Sequence, residues 1–210
     1  MRLKYCALFC FLFVTLENGE SYKGLFIMTL GTKSHLNFFQ PIIESLARAG
    51  HDMTLLTSRE AKFEEKSVKQ IVVYDENIEN VMGNLFNIST IDLFRRSIEI
   101  LPKICLNSLQ TLIDIENNKT ETNNYDFIIL SIVNSECFFG YLYESKVPFM
   151  YAFPNALMTP HGMRMGEPEF PSVNPNLLTS LNYPMSFTER ILNIFVDIIY
   201  TLYAKYYASK

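Results

Sequence analysis

Leu25-Phe26-Ile27-Met28-Thr29-Leu30, running into Gly31-Thr32-Lys33-Ser34-His35, decides the fold. A short, continuous apolar run is the pattern of a strand covered on both faces in a parallel sheet. Beyond the polar break, Leu36, Phe39, Ile43, Leu46 and Ala47 recur at helical spacing, and Gly50 stands where a left-handed C-terminal cap belongs. Pro41 is tolerable in such a helix only near its start. Asp52-Met53-Thr54-Leu55-Leu56 supplies the next strand. Two parallel strands joined through a helix form a right-handed crossover unit.

The same pattern repeats outward. Gln70-Ile71-Val72-Val73-Tyr74 reads as a third strand, a helical stretch runs from about Ile91 to Asp114, and Asp126-Phe127-Ile128-Ile129-Leu130 is a fourth strand. Pro102 is expected to bend or divide that helix. A second strand-to-helix passage follows through Glu136 to Glu144, and Val147-Pro148-Phe149-Met150-Tyr151 is a fifth strand. Alternation of this kind predicts an α/β fold: a doubly wound parallel sheet flanked by helices. After Tyr151 the composition changes. Six of the nine prolines run from Pro154 to Pro184, so the segment from Phe153 to Tyr183 is read as a long irregular connection. Ser186-Phe187-Thr188-Glu189 then offers a capping box. The helix it starts, Ile191 to Tyr207, carries apolar side chains on almost every face and is expected to be buried or to touch lipid, with only marginal length for spanning a bilayer.

Composition narrows the function. At 210 residues and 49% hydrophobic the chain can bury a full core. Lys plus Arg come to 18 against 22 Asp plus Glu, and a net charge of -4 removes the basic excess that would draw a chain onto nucleic acid. Arg2 and Lys4 precede an apolar run from Tyr5 to Leu16 that ends in small and polar residues, the order of a secretory signal peptide. Residues 1–20 are assigned to it and residues 21–210 to one domain. Cys105 and Cys137 remain after its removal; nothing in their spacing shows that they meet, so free buried thiols are expected. Neither lies in a metal-ligand pattern, and no metal site is expected. Asn87-Ile88-Ser89 and Asn118-Lys119-Thr120 are glycan acceptor triplets.

Ligands of open parallel sheets bind beyond the carboxyl ends of the strands. Two loops leave such ends: Gly31 to His35, and Ser131 to Cys137. His35 is the one histidine predicted there, either as a general base with a partner or as a residue that only hydrogen-bonds its loop. His51, after Gly50, is read as a structural cap, and His161 as part of the irregular segment. No glycine-rich phosphate cradle follows the first strand.

These residues carry a family likeness. Gly31-Thr32-Lys33-Ser34-His35, Phe39-Gln40-Pro41-Ile42 and Leu46-Ala47-Arg48-Ala49-Gly50-His51-Asp52-Met53-Thr54 resemble the opening of animal UDP-glycosyltransferases, the UDP-glucuronosyltransferase family, and of its arthropod members most closely. Tyr125-Asp126-Phe127-Ile128-Ile129, Asn134-Ser135-Glu136-Cys137, Gly140 and Val147-Pro148 are similar to a second landmark of the family. Gly166-Glu167-Pro168, Pro171-Ser172-Val173-Asn174-Pro175-Asn176 and Met185-Ser186-Phe187-Thr188-Glu189-Arg190 are similar to a third.

The resemblance implies a GT-B type amino-terminal Rossmann-like domain that binds the acceptor. No cofactor is then bound by this domain, and UDP-sugar is the co-substrate of a second, donor-binding half, of which residues 21–210 contain nothing. It implies inverting transfer of a hexosyl or glucuronosyl group to the hydroxyl of a small lipophilic acceptor, with His35 as general base. The carboxylate that orients this histidine in the family falls at Ser131, with Glu136 as its substitute. Serine cannot balance an imidazolium, and neutralising the corresponding acid of a serine hydrolase costs about 10⁴ in turnover, so feeble or absent transfer is expected even with a donor-binding half attached. Phe38, Phe39, Phe138, Phe153 and Met158 are the candidate acceptor-lining residues, several of them expected to be core instead. The endoplasmic reticulum lumen or membrane is the implied location, with a membrane surface and full-length family members as further partners. The alternative is a non-catalytic lumenal or secreted small-molecule binder, or a modifier of full-length glycosyltransferases.

Overall fold

Strand β1 (Lys23–Met28) forms where the apolar run predicts it, and its residues alternate between two cores because successive strand side chains point to opposite faces. The computed structural model describes residues 20–30, 32–75, 78, 90–118, 124–154, 170–176, 179 and 181–208. Residues 1–19, on which the expected signal peptide falls, Gly31, Asn87, Met158, His161 and Gly166 to Pro168 lie outside the described residues.

Helix α1 (Lys33–Arg48) follows β1, then β2 (Asp52–Thr57), β3 (Lys69–Val72), α2 (Thr90–Asn118), β4 (Phe127–Ser131), a 3-10 turn (Glu136–Phe138), α3 (Phe139–Ser145), β5 (Phe149–Ala152) and α4 (Phe187–Ala208). The five strands form one sheet in the order β3-β2-β1-β4-β5, every neighbouring pair parallel. This is the expected doubly wound sheet flanked by helices. Its topological switch lies between β1 and β4, the crevice at which such sheets bind ligands.

One face packs Leu25 and Ile27 of β1 with Leu56, Leu130, Leu112 of α2 and Phe138. The other packs Phe26 and Met28 with Met53, Leu55 and, from α1, Phe39 and Ile43. Gly24 lets the central strands close: a Cβ there would stand 2.4 Å from the Phe127 ring and 2.8 Å from Met53 Sδ. Gly50 has φ +93°, the conformation expected of the α1 cap, and its N–H donates to the Ala47 carbonyl at 3.0 Å.

Several expectations need correction. Pro41 stands well inside α1, because Thr32 caps the helix ahead of the first apolar residue. The Ser45 hydroxyl donates to the Pro41 carbonyl at 2.7 Å. Helix α2 continues through Pro102 without division. The fifth strand begins at Phe149, and the third ends at Val72. His51 does not cap helix carbonyls with its ring; Nδ1 accepts from the Tyr22 backbone N–H at 3.3 Å and so ties the starts of β1 and β2.

The cysteines are also corrected: Cys105 of α2 and Cys137 of the 3-10 turn form a disulfide. Helix α2 lies over the face on which the chain leaves β4, which brings the two Cα atoms to 6.0 Å, within the reach of a bridge. Their separation of 32 residues says nothing of this until α2 is placed.

Helix α4 begins with the predicted capping box: the Ser186 N–H donates to Glu189 Oε2 at 2.7 Å and the Glu189 N–H to Ser186 Oγ at 3.4 Å. Of the two expectations for its apolar faces, burial is not met. Asn193 is completely buried, and its Nδ2 donates to the carbonyls of Pro171 (2.6 Å) and Asn174 (2.9 Å) while its Oδ1 accepts from the Asn176 N–H (2.8 Å). Leu192, Phe195, Ile199 and Leu202 are more than half exposed. The irregular segment presents unpaired carbonyls and N–H groups, and satisfying those selects the amide face of the helix. Among the described residues no helix is long and apolar enough to cross a membrane.

Candidate functional site

The chain turns from β1 into α1 through Leu30, and Thr32 caps the helix. With Thr32 as N-cap, His35 is the third residue of the helix, so its backbone N–H is one of those that need an external acceptor. The Thr32 hydroxyl provides it, accepting from His35 N at 3.3 Å. The same oxygen lies 2.5 Å from His35 Nδ1 and 3.2 Å from Ser34 Oγ. His35 Nε2 is buried and has no hydrogen-bond partner among the described residues. Phe39, one turn on, lies against the imidazole with ring centroids 6.5 Å apart.

Burial holds the His35 pKa below its ordinary value, because removal from water disfavours the imidazolium. No carboxylate among the described residues opposes that shift. His35 is therefore neutral at pH 7, with one ring nitrogen held by a hydroxyl and the other unpaired. Chemically, a neutral imidazole with a bare nitrogen at the mouth of a sheet can accept a proton from a bound hydroxyl.

The second predicted loop arrives beside the first. The register Ile27↔Leu130 puts Ser131, the last residue of β4, next to the end of β1. The Thr29 hydroxyl donates to the Asn134 carbonyl at 2.6 Å in a buried hydrogen bond that ties the two loops together. Ser131 is 2% exposed. Glu136 opens the 3-10 turn and is half-buried. The structure thus brings the loops of His35, Ser131 and Glu136 to the same end of adjacent strands, while the hydrogen bond of the His35 ring is to Thr32.

The proposed acceptor-lining residues divide. Phe39 and Phe138 are fully buried in the cores of opposite sheet faces and offer a ligand no surface. Phe38 is exposed and packs its ring edge-on against Phe39, and Phe153 is half-buried just past β5. Asn118 is exposed at the end of α2. A groove of about 580 Å³ between α3 and the start of β5, lined by Phe139, Tyr143, Lys146 and Phe149 among others, lies at the amino end of β5, away from His35. The described residues contain no group of three or more His, Cys, Asp or Glu that could hold a metal.

Sequence reasoning missed two residues here. Thr32 contacts the His35 ring, and its signal was present: a threonine three residues ahead of a helical histidine has N-cap spacing. Asn134 adopts φ +58° with its Nδ2 buried and unpartnered among the described residues, a state no sequence pattern announces.

No protein-family model matches the chain. It is 25% identical over 212 aligned positions to UDP-glucosyltransferase 2 of Dactylopius coccus, covering 98% of this chain and 40% of that protein. It is also 25% identical over 201 positions to UDP-glycosyltransferase UGT5 of the same insect, covering 87% of this chain and 37% of the relative. The chain therefore spans about two fifths of the length of these relatives. Among solved structures it resembles CalG4, the calicheamicin glycosyltransferase, with a TM-score of 0.50 and 13% identity over 73% of this chain and 39% of that one. The fold is the expected GT-B type Rossmann-like domain.

Proposed function

We propose, from this likeness to insect UDP-glycosyltransferases, that the chain is the acceptor-binding part of an inverting UDP-glycosyltransferase acting on the hydroxyl of a small lipophilic molecule. The observation that carries the reading is the bare, buried Nε2 of His35 at the switch point of the sheet. In the reaction Nε2 takes the hydroxyl proton as the acceptor oxygen bonds to the anomeric carbon, and the bond from that carbon to UDP breaks. The oxygen gains the sugar, UDP leaves with the electron pair, and the proton rests on His35. Charge left on a buried imidazole without a carboxylate is costly, which supports weak turnover.

UDP-sugar belongs to the remainder of a two-part enzyme rather than to these residues. The disulfide, which persists in oxidising compartments, supports a lumenal location in the secretory route. The exposed Asn118 is compatible with glycan attachment there, and the outward apolar side chains of α4 support contact with a membrane surface.

The test is transfer by this chain joined to the donor-binding part of UDP-glucosyltransferase 2, read as UDP release in the presence of a panel of phenols and apolar alcohols. Acceptor-dependent release that falls about 10²-fold or more in His35→Gln is the expected result. Release unaffected by His35→Gln removes the proposed base.

A further inference from the structure

We propose that Thr32 is the positioning residue for His35, accepting a hydrogen bond from Nδ1–H and thereby leaving the lone pair on Nε2. The inference deepens the transferase reading, since its consequence concerns the base of that reaction, but the hydrogen bonding on which it stands is independent of any turnover.

A threonine hydroxyl can accept two hydrogen bonds and donate one. Three groups surround Thr32 Oγ1: the His35 backbone N–H, His35 Nδ1 and Ser34 Oγ. The backbone N–H can only donate, so it occupies one lone pair. Two closed arrangements remain. In the first, Nδ1–H donates into the second lone pair and Thr32 gives its proton to Ser34. In the second, Thr32 gives its proton to Nδ1 and receives one from Ser34.

The two differ at the far nitrogen. The first leaves Nε2 as an unpaired acceptor and the second leaves it as an unpaired N–H. Nε2 is buried and has no partner among the described residues, and orphaned N–H donors are rarer in protein interiors than under-satisfied acceptors. Ser34 is exposed, so after accepting from Thr32 it can still donate to water. Ser34 meets water in either arrangement, so the buried far nitrogen is what selects the first.

That arrangement also survives the proton transfer. When Nε2 takes a proton, Nδ1–H remains a donor and the Thr32 contact needs no rotation. In the second arrangement Nδ1 would have to change from acceptor to donor, breaking the contact when the charge forms. One hydroxyl therefore both starts α1 and selects the tautomer of its third residue, in the place where relatives of the chain are expected to use a carboxylate.

The measurement is the two-bond ¹H–¹⁵N correlation spectrum of the imidazoles in the uniformly ¹⁵N-labelled chain, recorded well above the pKa of His35, with the His35 signals assigned by their loss in His35→Asn. The expected spectrum has a protonated Nδ1 and a bare Nε2. Thr32→Ser should retain that signature, and Thr32→Val should lose it while His51 keeps its own. Thr32→Asp preserves a good N-cap and should keep Nδ1 protonated while moving the His35 pKa upward. A wild-type spectrum with Nε2–H, or an unchanged His35 tautomer in a folded Thr32→Val chain, overturns the proposal; if Thr32→Val does not fold, an unmoved His35 pKa in Thr32→Asp overturns it instead. Absence of transfer in the fused enzyme would count against the transferase reading and would leave the tautomer result as it stands.

Discussion

Replacing both Cys105 and Cys137 by alanine should destabilise the chain by about 4 kcal/mol. The bridge closes a separation of 32 residues, running from the middle of α2 to the turn after β4. Confining a loop of that size lowers the entropy of the unfolded chain by roughly 12 cal/mol/K, which is about 4 kcal/mol at 25 °C. For a urea dependence of about 2.5 kcal/mol/M, the midpoint should fall by about 1.5 M. On heating, the midpoint should fall by roughly 8 to 15 °C. The assay is urea unfolding followed by far-ultraviolet circular dichroism, on the oxidised chain and on the double variant. Wild-type chain held in reducing agent serves as a second comparison and should approach the variant. Two thiols reactive in unreduced, denatured residues 21–210, which leave out Cys6 and Cys10, would refute the bridge itself. An unchanged midpoint in the variant would refute the claim that the loop it closes is otherwise free in the unfolded state.

Gly24→Ala should cost about 1–3 kcal/mol, read as a lowered urea midpoint, because the new methyl meets the Phe127 ring and Met53 inside the central strands; a neutral result would mean that β1, β2 and β4 are not packed as described. Ser131→Asp in the fused enzyme should raise turnover by supplying an acid at the end of β4, with Ser131→Asn giving no gain; equal rates in both would show that this position does not orient His35. The depressed His35 pKa makes the folded chain bind fewer protons than the unfolded one as pH falls below about 6.5. Its contribution to stability is therefore complete above that pH and is lost as pH falls through the lower folded value. His35→Asn should flatten the stability profile below about pH 6.5, and an identical slope in the two chains would count against the burial of the ring.

The fold was legible because its signals are local. Continuous apolar runs mark strands buried on both faces, and Gly50, Ser186 and Glu189 mark helix ends through geometry confined to a few residues. The place of His35 just after β1 was legible, since strand ends at the switch of a parallel sheet are predictable from the alternation of elements. What escaped depends on placement in three dimensions. The Cys105–Cys137 bridge requires α2 to be laid across the sheet before the two sulfurs become neighbours. Phe39 and Phe138 look alike in sequence, and only the sheet between them shows that they belong to different cores. In α4 a nearly uniform apolar surface left Asn193 as the distinguishing feature, and the chain's unsatisfied backbone groups chose that side. The hydroxyl that touches the His35 ring, on Thr32, is only three residues from it.

The pairing of β1 with β4 has a consequence for synthesis. Gly24 is in register with Phe127, and the Lys23 N–H donates to Asp126 Oδ2 across 103 residues. Until that far segment leaves the ribosome, β1 can bond only to β2, and its other edge, among the most apolar stretches of the chain, has no strand to receive it. At about 5–20 residues per second the interval is roughly 5 to 20 s. Long-range parallel pairing is slow even once both partners exist. The nascent chain thus carries an open, adhesive sheet edge for several seconds, and its yield should depend on the chaperones present at the site of translation more than on the stability of the finished fold.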